Sequence, residues 1–224
     1  MGHLSRIYGS HHDTTADHHE LLTAFYMGAT IVNERGERFI DESDSYKTLG
    51  AACLQQPDGM GYQIFDADIR AQSQPGVPLS DIDHLEAKGR LFVAETLNEL
   101  AELAGIDPRG LVDTVAAYNR VVDGEQGDSI GRTHLCNGVG ELTRIDRAPF
   151  YAYPAKTLMT STYAGLTVTP DAEVLRADGE VIAGLYAAGE VVGGFHGAAY
   201  MTGAALGKAL IFGRVAALQA AARI

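Results

Sequence analysis

The sequence predicts an α+β protein, and three features of its 224 residues carry that prediction. Residues 29–40, ATIVNERGERFI, alternate apolar and polar side chains on both sides of Glu34-Arg35-Gly36, the period of a half-buried strand. Residues 96–123 hold two segments with apolar residues at helical spacing. From Val181 to Gln219 the chain reads as a strand, a glycine-rich loop and a helix.

In chain order, residues 29–40 form a β-hairpin, with Gly36 free to take the positive φ of a tight turn. Gly61–Asp66, GYQIFD, follows the turn-rich QQPDG and is a short strand ending in an acid. ETLNELAELAG is a helix whose face is Leu97, Leu100, Ala101 and Ala104, with Gly105 as its C-terminal cap. The next helix opens with Asp107 as N-cap and Pro108 in the first turn, and its face is Leu111, Val115 and Tyr118. Both faces are those of core packing. After Pro149 charged residues thin out. Leu166–Val168 and Glu173–Leu175 read as two strands of a hairpin region, Val181–Ala188 as a buried strand, and about Thr202–Gln219 as a helix. A strand, a glycine loop and a helix in succession present free backbone N–H groups and a positive helix end to whatever lies above them.

Composition narrows the function. With 46% hydrophobic and 21% charged residues the chain can bury a core. Its 17 Lys+Arg against 29 Asp+Glu, a net charge of −12, argue against nucleic acid and against anionic membrane surfaces, which need clustered cations. No apolar run is read as long enough to cross a bilayer. Cys53 and Cys136 do not make a disulfide framework, so a reducing compartment is expected. The first twenty residues lack the apolar stretch of a secretory signal, and the expected location is cytoplasmic. His11, His12, Asp13, His18, His19 and Glu20 match no zinc spacing, and no metal site is expected. Neither a G-x-G-x-x-G loop nor a Walker loop occurs.

Residues 184–213, GLYAAGEVVGGFHGAAYMTGAALGKALIFG, closely resemble the carboxyl-terminal flavin-contacting segment of the fumarate reductase and ketosteroid dehydrogenase group of FAD-dependent oxidoreductases. VNERGERFIDE, ETLNELAELAGIDPRGLVDTVAAYN, and DSIGR followed by PFYAYPAK are similar to the same group in the same order. The resemblance implies a flavoprotein capping domain over residues 1–148 and, over 149–224, the carboxyl-terminal strand–loop–helix piece of a Rossmann-like FAD-binding domain. It also implies FAD as cofactor. The partner would be an FAD-binding subunit carrying the G-x-G-x-x-G loop, or the amino-terminal half of the same protein.

By resemblance, Gly189, Glu190, Gly194, Gly203, Ala204, Ala205 and Leu206 contact the cofactor. Glu190 would accept hydrogen bonds from ribityl hydroxyls. Gly193, Gly194, Gly197 and Gly203 let backbone approach a flat ring, and N–H groups at the start of the last helix would stabilise negative charge on a reduced flavin. Where fumarate reductases of the group carry HHT, this chain has Thr160, Ser161 and Thr162; where they carry arginines, it has Tyr46 and Tyr200. Without those cations dicarboxylate chemistry is disfavoured. Ketosteroid dehydrogenases of the group carry a tyrosine at the Tyr200 position. The implied reaction is α,β-dehydrogenation of a steroid-like or cyclic ketone, or the reverse enone reduction. In it Tyr200 and the Gly203 N–H bind the carbonyl oxygen and Tyr46 is a base or relay, while Tyr163, His196 and Thr162 contact substrate. A phenol with the ordinary pKa of about 10 is a poor base at neutral pH, so Tyr46 would need a lowered pKa or a relay. Two other readings remain open: a non-catalytic small-molecule-binding or regulatory subunit, and a fumarate reductase-like enzyme of altered substrate.

Overall fold

The computed structural model of the chain describes residues 4–10, 20–136, 138–197 and 203–223. The His11–His19 cluster and Tyr200 lie outside the described residues. The chain divides into two compact units, Ile7–Leu158 and Met1–Arg6 with Met159–Ile224. The division falls inside a long strand that begins just after the expected domain boundary at residue 148.

The larger unit is built on an antiparallel sheet. Strand β1 is Leu4–Ser10, β2 Thr30–Val32, β3 Met60–Phe65, β4 Phe92–Ala94 and β5 Phe150–Thr162, in the order β1-β5-β3-β2 with β4 also on β5. Ile64 pairs with Thr30 on one side and Ala152 on the other, and the rings of Phe65 and Tyr151 stack at 5.2 Å. Helices α1 (Tyr46–Cys53), α2 (Ala67–Arg70), α3 (Ile82–Ala87), α4 (Leu97–Ala104) and α5 (Pro108–Val122) join it around one core. That core includes Phe25, Ile31, Leu49, Ile64, Ile82, Leu100, Leu111 and Tyr118, all fully buried. Strand β3 ends where expected, because Asp66 leaves the strand to cap α2, accepting the N–H groups of Asp68 and Ile69.

The expected helices form with the expected caps at Gly105 and Asp107, and α4 has a further cap that the sequence reading did not name. Thr96 and Glu99 make a reciprocal capping box on α4, Gly105 closes it in the left-handed conformation, and Asp107 accepts from Gly110 N at 2.6 Å to start α5. The expected hairpin is only half present. Its turn forms, with Gly36 N donating to Asn33 O at 2.9 Å and Asn33 Oδ1 accepting from Arg35 and Glu37. The return strand shrinks to a single bridge between Val32 and Arg38, because the Arg38 side chain is committed to Glu42 and Asp128. The turn instead docks on α5. A Cβ at Gly36 would lie 2.2 Å from Leu111 N, and one at Gly110 1.9 Å from Arg35 O, so this approach admits no side chain at either position.

The smaller unit is sparser. Strands β6 (Glu173–Leu175) and β7 (Val181–Tyr186) pair antiparallel, and helix α6 spans Ala204–Ala221. Leu166 and Val168 make only isolated bridges, to Val192 and Val174, so the expected first strand of that hairpin is replaced by the β6–β7 pair. Contrary to expectation, β7 is largely exposed, since it has β6 on one edge and the unit's core is little more than Val174, Ala187 and Val192. Leu206, Leu210 and Ile211 of α6 are 67%, 66% and 63% exposed. One further expectation is corrected: α6, with 18 residues and a mean hydropathy of 1.3, is by length and composition alone apolar enough to cross a membrane. Its run was hidden by glycine and alanine and by Lys208 and Arg214 within it.

Candidate flavin-contacting site

The smaller unit gathers most of the expected cofactor residues. After β7 the chain makes a 3-10 turn over Gly189–Val191, which carries Glu190 to the end of β5. There Glu190 Oε1 accepts from Ser161 Oγ at 2.7 Å, from Thr162 N at 2.7 Å and from Thr162 Oγ1 at 3.3 Å. The Thr162 N–H, then the Ser161 hydroxyl, hold the carboxyl below its ordinary range against partial burial, with the Lys208 charge adding to the effect. Glu190 is therefore ionised at neutral pH. Among the described residues its hydrogen bonds fall on Oε1, and a carboxylate has about four acceptor sites, which gives it capacity for a ligand hydroxyl. Thr162, expected to touch substrate, spends both donors on this carboxylate.

The loop is held by backbone. Leu166 N donates to Val191 O at 2.8 Å and Gly193 N to Leu166 O at 3.0 Å. A Cβ on Gly165 would stand 2.2 Å from Val191 O, and one on Gly193 2.5 Å from Gly165 N, which explains a glycine in each crossing segment. Gly189 and Gly194 line a cleft of about 310 Å³ together with Phe195 and the buried Lys208. Lys208 Nζ donates to Val192 O at 2.6 Å and sits 5.7 Å from the Phe195 ring centre. Tyr163 and His196, both expected near substrate, are brought together with their ring centres 5.3 Å apart.

At the other end of the loop Gly203, at φ +86°, is the N-cap of α6 and supplies no side-chain cap. The first N–H groups of the helix, at Ala204, Ala205 and Leu206, have no carbonyl one turn earlier in the helix to accept them. An ionised carboxylate, a helix start whose N-cap glycine offers no side chain, and a loop with glycine at 189, 193 and 194 fit the ribityl hydroxyls and the electron-rich edge of a flavin.

Tyr46 belongs to the larger unit. It is the first residue of α1, behind the N-cap Ser45, whose hydroxyl accepts from Thr48 N, and the Lys47 ammonium lies 5.6 Å from its ring centre. The sequence reading missed α1, Ser161 as a partner of Glu190, and Lys208 as a buried cation. Ser161 and Glu190 are 29 residues apart in the chain, and no local pattern connects them.

The description FAD binding domain matches residues 13–206. The chain is 35% identical over 196 residues to an NADH:fumarate oxidoreductase of Klebsiella pneumoniae, covering 88% of this chain and 20% of that protein. Among solved structures it is similar to the open conformation of a flavocytochrome c3 fumarate reductase, at TM-score 0.77 and 27% identity over 97% of this chain and 36% of that one. It is also similar to the 3-ketosteroid Δ1-dehydrogenase of Sterolibacterium denitrificans, at TM-score 0.75 and 26% identity over 99% of this chain and 43% of that one. The chain thus spans less than half the length of each of these proteins. It belongs to the FAD binding domain family, in the group of the fumarate reductases and ketosteroid dehydrogenases, and its cofactor is FAD.

Proposed function

We propose that this chain supplies the substrate side and one wall of the flavin site of an oxidoreductase acting on a CH–CH bond, desaturating a ketone or reducing the corresponding enone. FAD supplies the two-electron acceptor or donor. In the desaturating direction the α-proton passes to Tyr46, directly or through a relay, and the β-carbon gives up a hydride. Tyr200 and the Gly203 N–H stabilise the enolate oxygen formed as the proton leaves, and Tyr163 and His196 bound the substrate. Glu190 and the start of α6 orient the cofactor.

The observation that carries this reading over dicarboxylate chemistry is the hydrogen bonding at the end of β5. Ser161 and Thr162 are turned onto Glu190, so in the stretch where fumarate reductases of the group carry HHT, Ser161 at a histidine position and its neighbour Thr162 support a carboxylate and contribute no positive charge. A dicarboxylate at this strand end would meet the Glu190 charge with no cation among residues 160–162 to offset it.

The exposed Leu206, Leu210 and Ile211 on α6, with Leu185, Val191 and Phe195, support a second element of the reading. They dock against the remainder of the FAD-binding domain, in the same polypeptide or in a separate subunit carrying a G-x-G-x-x-G loop, because apolar patches of this kind rarely stay in water.

The test is steady-state turnover of the complete FAD-loaded enzyme with cyclohexanone or a 3-ketosteroid and an artificial electron acceptor. Tyr46→Phe and Tyr200→Phe are each expected to lower kcat by about 100-fold or more. Unchanged turnover would remove that tyrosine from the chemistry, and efficient fumarate reduction by the unaltered enzyme would overturn the ketone assignment.

A further inference from the structure

Lys208 ties helix α6 to the turn that carries Glu190. It is 2% exposed and opens the second turn of α6, and its Nζ donates to Val192 O at 2.6 Å. Val192 closes the 3-10 turn Gly189–Val191, its own N–H donating to Gly189 O at 3.1 Å. Backbone bonds lace the same turn to residues 165–166, through Leu166 N to Val191 O and Gly193 N to Leu166 O. Against the helix the turn lies close, since a Cβ on Gly189 would stand 3.7 Å from Ala209 Cβ. All of these groups belong to the smaller unit. The Lys208 bond to Val192 O therefore joins two elements that both bear expected cofactor contacts, the Glu190 turn and the start of α6.

Two general effects disfavour a cation at this place. Burial strips an ammonium of its water, which is costly unless the charge is paired and hydrogen-bonded. The amino-terminal end of a helix carries partial positive charge, which repels another. The local compensation is limited. Val192 O takes one of the three protons of the ammonium, and the Phe195 ring, with its centre 5.7 Å from Nζ, adds a cation–π contact. Phe195 is itself set edge-on to Phe212, one helical turn beyond Lys208, with ring centres 5.7 Å apart. A methionine would fill the same space without either penalty, so packing alone does not call for the charge. Charges kept against such local rules are expected where a site makes use of them.

Negative charge near the same end of α6 is what gains from it. The Lys208 charge adds to the Thr162 N–H and the Ser161 hydroxyl in holding the Glu190 carboxyl below its ordinary range. A flavin takes up two electrons on reduction, and a cation shielded from water acts on such charge more strongly than one in solvent. We propose that Lys208 is a positioning residue of the flavin site: it fixes the Glu190 turn on α6 through Val192 O, and its charge favours the reduced cofactor over the oxidised one. The role rests on the reading of Glu190 and the start of α6 as cofactor contacts given above. It separates Lys208 from a packed lysine, whose loss would change stability and leave the redox balance of the cofactor where it was.

The test is redox titration of the complete FAD-loaded enzyme against a reference dye, with retention of oxidised FAD measured on the same samples and no ketone or enone present. Lys208→Met is expected to lower the preference for reduced over oxidised FAD about tenfold, a fall of about 30 mV in a two-electron potential. It is also expected to weaken retention of oxidised FAD about threefold, through loss of the bond to Val192 O. Lys208→Arg, which keeps the charge and its donors, is expected to hold that preference within about twofold of the unaltered enzyme. Flavin lost from Lys208→Met but kept by Lys208→Arg would carry the same meaning as the shift. Equal shifts in the two variants, or flavin lost from both, would overturn the role of the charge. A potential and a retention unchanged in Lys208→Met, in an enzyme that Glu190→Gln strips of FAD, would overturn the role of Lys208 alone. Full retention in Glu190→Gln would overturn the reading of the turn as a cofactor contact and, with it, the role proposed for Lys208.

Discussion

The two units of this chain treat their polar and apolar groups in opposite ways. In the larger one, Arg38, Glu42, Asp128 and Arg132 are buried and paired with one another or with backbone carbonyls, over a continuous apolar core. Two of these guanidiniums also lie near the Tyr118 ring, at 5.4 and 6.0 Å. In the smaller unit the core is a handful of residues and the longest helix exposes its leucines. The first closes around its own core and carries Tyr46 at the start of α1. The second leaves apolar side chains of α6 exposed and starts that helix at a glycine with no side-chain cap. Stability and function are therefore expected to respond differently to substitution in the two.

The largest expected effect is in the buried network. Arg132→Met removes a charge on which Glu42 depends, and is expected to cost about 3–5 kcal/mol of unfolding free energy in denaturant titrations. A loss below about 1 kcal/mol would mean that Arg38 alone satisfies Glu42. Apolar truncation contrasts the units directly. Ile64→Ala, at a fully buried sheet position, is expected to cost about 2–5 kcal/mol. Ile211→Ala, on the exposed side of α6, is expected to change the stability of this chain by no more than about 0.5 kcal/mol, while weakening its association with the rest of the flavin domain. Equal losses would show that α6 is packed as a core helix.

Acid sensitivity is expected to trace to the larger unit. Burial raises the Asp128 carboxyl, but the Arg38 guanidinium and the N–H groups of Ile130 and Gly131 outweigh it and hold the carboxyl below its ordinary range. The folded pKa is thus depressed, so this contribution is complete above the ordinary aspartate value of about 4 and is lost as pH falls through the folded value. Denaturant titrations at neutral and acid pH are expected to show that fall, and Asp128→Asn to flatten it. A modest effect is expected at the capping box. Thr96→Ala loses the Glu99 N–H bond at 3.2 Å and should cost about 1 kcal/mol.

How much of this was legible follows from where the signals lie. Helices α4 and α5 were readable because Gly105, Asp107 and Pro108 mark their ends within a few residues of their apolar faces. Helix α1 was not, since only Leu49, Gly50 and Cys53 of its eight residues are buried and no apolar period emerges. The return arm of the hairpin alternated correctly but was overruled by Arg38, whose partner Asp128 is 90 residues away. At the site, glycine spacing and resemblance reached Glu190 and Gly203. The bonds that hold the Glu190 carboxyl below its ordinary range come from Ser161 and Thr162, and the charge that adds to them comes from Lys208 on α6. Tertiary closure creates both, so neither leaves a pattern in a single sequence.

The most direct measurement is the flavin content of the polypeptide that carries this sequence, purified from its native source, compared with a Glu190→Gln variant prepared in the same way. Stoichiometric FAD with its visible absorption, and retention of the cofactor weakened about tenfold or more by Glu190→Gln, are the expected results. A colourless polypeptide, or a variant that holds FAD as tightly as the unaltered protein, would contradict a flavin site built around Glu190.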